Sequence, residues 1–102
     1  DSQGRIWTSE WNAGQVAVYD PASDLWQEWR PAPRAYAVYV DENDIVWLSD
    51  FGGNAVVRFD PSSEEFSVFG LPDNPGNVRQ IHGRPGEVWL PESAADRLVV
   101  IR

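Results

Sequence analysis

Three carboxylates recur at one spacing. Glu10, Asp50 and Glu92 stand 40 and 42 residues apart, each three residues after a tryptophan: Trp7, Trp47 and Trp89. If each holds the same place in successive structural units, the three converge on one rim, where like charges repel. Such acids must take up a proton, pair with Arg34, Arg79 or turn amides, or bind a cation. Hard oxygen donors in a chain without cysteine point to magnesium or calcium rather than zinc or copper. The metal-ligand expectation is therefore Glu10, Asp50 and Glu92. Trp11 and Phe51 directly follow two of the acids. They serve either turn packing or an apolar wall for a ligand, so the expected ligand-binding rim is Glu10, Trp11, Asp50, Phe51 and Glu92.

Other chemistries find no support. There is no G-x-S-x-G nucleophile, and His82, the single histidine, has no identifiable partner for a Ser-His-Asp arrangement. Gly52, Gly53 and Gly76 belong to turns rather than to a phosphate-binding loop. The net charge is −8 and every basic residue is arginine. An acidic chain with no basic stripe repels phosphate backbones, so nucleic acid is not an expected partner. No apolar run approaches the roughly 18 residues of a membrane span. The absence of cysteine excludes disulfides and leaves the compartment open. A soluble protein, cytoplasmic or secreted, is the expectation. The start at Asp1, with no methionine anywhere, leads us to expect a chain processed, trimmed or excised from something longer.

The elements that must position the acids are legible as a repeat of about 41 residues. "GRIWTSEWNAGQVAVYDPASDLWQEW" begins at Gly4, "DIVWLSDFGGNAVVRFDPSSEEFSVF" at Asp44 and "GEVWLPESAADRLVVIR" at Gly86. Tyr19, Asp20 and Pro21 align with Phe59, Asp60 and Pro61, and Trp26 and Trp29 with Phe66 and Phe69. Short apolar-rich stretches end at turn residues: Gly52-Gly53-Asn54, then Asp60-Pro61-Ser62-Ser63. Nothing keeps helical spacing. The unit reads as four strands: Ala35–Val40, Ile45–Phe51, Ala55–Phe59 and Glu65–Phe69. Before each, a proline-containing link leads in, at residues 31–33 and again ahead of a strand expected at Val78–His82. The recurring tryptophans are expected to pack between adjacent sheets.

Four short strands per unit make a propeller blade. The fold class is all-β: a β-propeller fragment of about two and a half blades of four-stranded antiparallel sheets. Residues 1–34 form a blade lacking its inner strand, 35–73 a complete blade, and 74–102 a blade lacking its outer strand. Propellers close with about 4–8 blades, so the flanks are completed by oligomerisation or by a missing part of the chain. If the chain folds alone, the expected partner is itself, in a head-to-tail homodimer that makes a six-sheet ring.

The segments "GRIWTSEWNAGQV" and "DIVWLSDFGGNAVVRFDP" resemble the streptogramin lyase family (virginiamycin B lyase-like propellers), and the resemblance runs from Gly4 to Arg102. It implies a seven-bladed propeller that cleaves an ester-linked cyclic depsipeptide by elimination, with magnesium bound by the protein. It also implies a histidine, in an R-P-H-A-I type segment, 14 residues before the glutamate of the Trp strand. Counting back 14 residues gives Tyr36 before Asp50 and Val78 before Glu92. Valine carries no proton, and a phenol is a poor base at neutral pH. His82 lies four residues past the motif place, about 13 Å along a strand. Candidate catalytic residues therefore reduce to Glu92, His82 and Tyr36. Three readings follow. The first is a binding or structural propeller module without lyase activity. The second is a magnesium-dependent lyase or part of one. The third is a designed or excised fragment that self-assembles.

Overall fold

The computed structural model describes residues 1–30 and 34–102, and the proline link expected at 31–33 lies outside them. Ten strands form three antiparallel sheets. The first joins β1 (Ile6–Glu10), β2 (Gln15–Asp20) and β3 (Leu25–Trp29). The second joins β4 (Ala35–Val40), β5 (Val46–Asp50), β6 (Ala55–Asp60) and β7 (Glu65–Gly70). The third joins β8 (His82–Arg84), β9 (Glu87–Glu92) and β10 (Arg97–Ile101). Among the described residues there is no helix, and so none long and apolar enough to cross a membrane. The architecture is a partial β-propeller.

Turn chemistry sets the strand boundaries. Residues with left-handed φ recur at equivalent places: Gly4, Asp44 and Gly86 before the Trp strand; Gly14, Asn54 and Asp96 after it; Asp24 and Glu64 one hairpin further on. Gly takes this conformation without penalty, and Asn or Asp at little, because their short side chains bond locally. The first hairpin turn also orients the tryptophans. Asp1 accepts hydrogen bonds from the backbone N–H of Gln3 and Arg5 and from Trp7 Nε1, at 3.0, 3.0 and 2.8 Å. Asp41 repeats this with Asn43, Ile45 and Trp47 Nε1, at 2.9, 3.0 and 2.8 Å. In the third sheet the corresponding place is Gly83, and Trp89 Nε1 donates instead to Glu87 at 2.9 Å. The three tryptophans hold the same register, opposite Val18, Arg58 and Val100.

The core lies between sheets. Trp7, Val16 and Val18 of the first sheet meet Ala35, Val46, Leu48, Val57 and Phe59 of the second. Ala37, Ile45, Trp47 and Val56 on its other face meet Val78, Ile81, Val88 and Leu90. The second sheet is thus packed on both faces along β4, β5 and β6, while its outer strand β7 stays exposed, and the outer sheets are packed on one face each. Ile6 and Trp26 are 58% and 59% exposed on the free face of the first sheet, as is Leu98, at 58%, on that of the third.

Two expectations are corrected. The inner strand expected at Val78–His82 is displaced: β8 begins at His82, and Val78 makes only an isolated bridge to Glu92. Val78 and Ile81 are both buried, at 1% and 6%. A strand buries alternate residues, so a spacing of three forces the chain out of register between them. The second concerns Tyr36. The pairing of β4 with β5 shifts between Ala35 and Val38, so Ala35 stands opposite Asp50. The residue in the motif place by count is one position out by register.

Asp96, exposed at φ 51° with no side-chain partner among the described residues, isolates the turn requirement. Asp96→Val should cost about 1–2 kcal/mol, because a β-branched residue is strained there, while Asp96→Gly should be neutral or stabilising. Chemical denaturation of both variants checks this.

Candidate functional site

The acids end equivalent strands, at the same edge of each sheet: Glu10 opposite Gln15, Asp50 opposite Ala55 and Glu92 opposite Arg97. Each settles its charge differently. The Glu10 carboxylate accepts from Gln15 Nε2. Asp50 is buried, and its Oδ1 accepts the backbone N–H of Arg34 at 3.1 Å and of Gly52 at 2.9 Å. A Cβ at position 53 would collide with Asp50 Oδ2, so any other residue there would displace this carboxylate. Turn amides, one of the partners expected from sequence, thus hold this acid.

Glu92 is the exception. It is 1% exposed, and neither carboxylate oxygen has a hydrogen-bond partner. The link from β7 covers it: a Cβ on Gly76 would stand 2.6 Å from Glu92 Oε1, and the Ala94 N–H bonds Gly76 O at 3.1 Å. Asp73, on the same link, faces it and forms an ion pair with Arg97 Nε at 3.0 Å. Burial, and then the Asp73 carboxyl, raise the Glu92 pKa above the ordinary carboxylate range. Two carboxylates cannot bond one another unless one carries a proton.

The magnesium implied by the sequence resemblance can be tested against these donors. Among the described residues no three of His, Asp or Glu come together as metal ligands. Glu10 is engaged by Gln15, Asp50 by amides, and Glu92 is enclosed with Asp73 alone. As placed here, each of Glu10, Asp50 and Glu92 is held within its own sheet and link, and the trio does not fit a shared ion. A hard divalent cation needs about six oxygen donors in one place.

The aromatic half of the expected rim does assemble. Trp11 and Phe51 meet edge-on with centroids 5.3 Å apart, and Tyr36 completes the cluster, stacked on Phe51 at 5.0 Å and edge-on to Trp11 at 5.7 Å. Trp11 and Tyr36 are 37% and 47% exposed. The two arginines expected to pair with the rim acids sit on rings instead. Arg34 lies 5.6 Å over Trp11 and Arg79 5.9 Å over Phe51, as cation–π partners. Tyr36 joins through stacking, and the Ser9 hydroxyl donates to its carbonyl. Glu92 stands between Val78, across an isolated bridge, and Arg97, its partner on β10, whose guanidinium pairs with Asp73. His82 is exposed and pairs with Trp89, toward the opposite end of β9 from Glu92. Sequence reasoning missed Asp73, whose place in the run Leu71-Pro72-Asp73-Asn74-Pro75-Gly76 reads as a linker; that this linker folds over Glu92 gives no signal in sequence.

No family model and no curated protein sequence matches the chain. Solved structures do. A streptogramin B lyase structure superposes with a TM-score of 0.89 at 20% identity, covering 98% of this chain and 34% of that one. The fold is that of the streptogramin lyases. Virginiamycin B lyase from Staphylococcus aureus gives 0.89 at 18% identity, over 100% of this chain and 36% of that one. A catalytically inactive variant of the Staphylococcus aureus enzyme, with histidine replaced by alanine and with quinupristin, gives 0.79 at 18% identity, over 99% and 38%. The chain spans about a third of the length of these lyase-fold proteins.

The buried acid carries a pH signature. The folded chain binds a proton at Glu92 more tightly than the unfolded chain does. Its contribution to stability is full below the ordinary carboxylate value of 4.5 and is lost as pH rises through the raised folded value. Glu92→Gln removes the charge and keeps the shape. The variant should show a higher urea midpoint than the parent near pH 8, and no gain near pH 4.

Proposed function

We propose that this chain is a propeller binding module with no elimination chemistry of its own. The observation that carries the reading is the pairing of Val78 with Glu92. Of the three strand-end acids, the one held by no amide stands across the ladder from a side chain that cannot move a proton, and beside it lies only a second carboxyl, Asp73, paired with Arg97. In the second sheet, Asp50 is bonded to amides and Tyr36 is stacked away from it. The virginiamycin B lyase variant that lacks one histidine is catalytically inactive, which supports assigning weight to the missing imidazole. Elimination needs a base within hydrogen-bond reach of the proton to be removed. What remains on the rim is a surface for contact: the exposed rings of Trp11 and Tyr36, backed by Phe51 and flanked by two guanidinium groups. Flat apolar ligand faces would stack there, with anionic groups drawn to Arg34 and Arg79.

The test is incubation with a streptogramin B and magnesium, with an active streptogramin B lyase run alongside. The ester should persist with this chain and disappear with the control. Loss of the ester above the no-protein rate would overturn the reading.

The free faces of the end sheets supply a second, structural part of the same proposal. The 102-residue chain, taken alone, places its Ile6–Trp26 face against the Leu98 face of a second copy, head to tail, in a six-sheet ring. Support comes from exposed apolar groups on both faces, a pattern monomers rarely leave uncovered. Sedimentation of the chain should give the mass of two copies, and Trp26→Glu should shift it to one.

A further inference from the structure

We infer that the groove between the first and second sheets, at the edge opposite the rim, receives an arginine side chain from a partner protein. The groove has two parts. One, of about 390 Å³, lies over the first sheet and is lined by Val18, Asp20, Ser23, Leu25 and Gln27 among others. The other, of about 260 Å³, lies between Arg5 and the turns that carry Asp44 and Asp60. Gln3 and Arg5 line both parts and make them continuous. The turn after β6 reaches across to the first sheet, where Trp29 Nε1 donates to Glu64 at 3.2 Å. Both walls are thereby tied together.

The walls suit a guanidinium on an apolar stem. Val18 and Leu25 form the apolar side, and Leu25 is 65% exposed at the mouth. Asp20, Asp44 and Asp60 form the charged side, and the groups that bond them are neutral. Asp20 accepts from the Ala22 N–H at 2.9 Å and the Ser23 hydroxyl at 3.0 Å. Asp44 accepts from the N–H and hydroxyl of Ser2, and Asp60 from those of Ser62 at 3.0 and 2.7 Å. These serine bonds hold Asp44 and Asp60 below the ordinary carboxylate range, so both stay charged. Among the described residues none of the three acids forms an ion pair. Arg5, the cation lining the groove, is already matched: it pairs with Asp1 at 2.8 Å and lies 5.5 Å over Trp7. The next sheet shows what the first one lacks. Val18 stands opposite Trp7, and in the same register Arg58 stands opposite Trp47. Arg58 lines the corresponding groove together with Asp41, Glu42 and Glu87. The second sheet thus brings its own guanidinium to its acids, where the first offers Val18. An arginine from outside supplies that group. Its methylenes lie along Val18 and Leu25, and its planar fork bridges carboxylates as a lysine ammonium does not. An apolar residue beside the arginine covers Leu25. The net charge of −8 draws such a basic partner from a distance. This groove is separate from the rim at Trp11 and Tyr36 and from the free faces of the end sheets, and its occupancy does not depend on what the rim binds.

The experiment titrates the intact, nitrogen-15-labelled chain at low salt with a blocked Gly-Arg-Leu-Gly peptide and follows amide shifts by NMR. Saturable shifts are expected at Arg5, in the turn from Asp20 to Leu25, and at Asp44 and Ser62. The same peptide with citrulline, a neutral isostere, in place of arginine should bind roughly fivefold more weakly or less, and added salt should weaken the parent peptide. Asp44→Asn keeps a residue type that tolerates the turn and should lower affinity about threefold, as should the surface change Leu25→Ser. Peptide shifts that never saturate overturn the inference, as does equal binding by the citrulline peptide. Spermidine is the control for a diffuse cation sink: if it matches the peptide at these amides and Leu25→Ser changes nothing, the groove is not an arginine site and the inference fails.

Discussion

A twisted sheet of three or four strands has two faces, and in this chain both are apolar. No sheet can bury itself. The cost of leaving a face in water, about 25 cal/mol per Å² of apolar surface, makes sheet-on-sheet packing the interaction on which everything else rests. The cluster of Trp7, Trp29, Phe59 and Phe66 shows how it is met: rings from two strands of one sheet interleave with rings from two strands of the next. The middle sheet, covered on both sides, has its whole β5 strand buried. The end sheets expose the equivalents of the residues it hides.

The same stacking brings strand ends together at one rim, and with them their acids. Identical positions in a repeat do not have identical electrostatics. Asp50 is short and is captured by the amides of its own turn. Glu10 is met by a neighbouring amide side chain. Glu92 reaches under the link that joins the second and third sheets, where Asp73 and Gly76 close over it. The acids that the repeat places at the rim are therefore held by hydrogen bonds in two blades and buried under a link in the third. The aromatic residues that follow the acids remain available, because their rings are too large for the turns and lean on each other instead.

Most of the fold was legible because turn chemistry is local. Gly, Asn, Asp and Pro mark where strands must stop, and the recurrence of Trp7, Trp47 and Trp89 shows which strands correspond. The division into sheets of three, four and three strands follows from counting these marks. What was hidden depends on the third dimension. The shift between Ala35 and Val38 moves Tyr36 off the acid it precedes by the expected count, and no residue type announces it. Val78 and Ile81 read as one alternating strand until both are seen to be buried. Arg34 and Arg79 read as partners for carboxylates, yet their guanidinium planes lie over Trp11 and Phe51. Composition gives the charge of a residue but not which of two attractive surfaces stands nearer.

Each anchoring tryptophan in the first two sheets is tied to an aspartate of its own hairpin, six residues earlier, and in the third to a glutamate two residues earlier. The fastening is internal to the unit and borrows nothing from the adjoining one. A duplicated or transplanted segment of this kind arrives with its largest side chain already aimed. Lengthening or shortening such an array by whole units then requires only that new flanks match old ones, which is how modular sheets can drift in sequence and number while keeping their geometry.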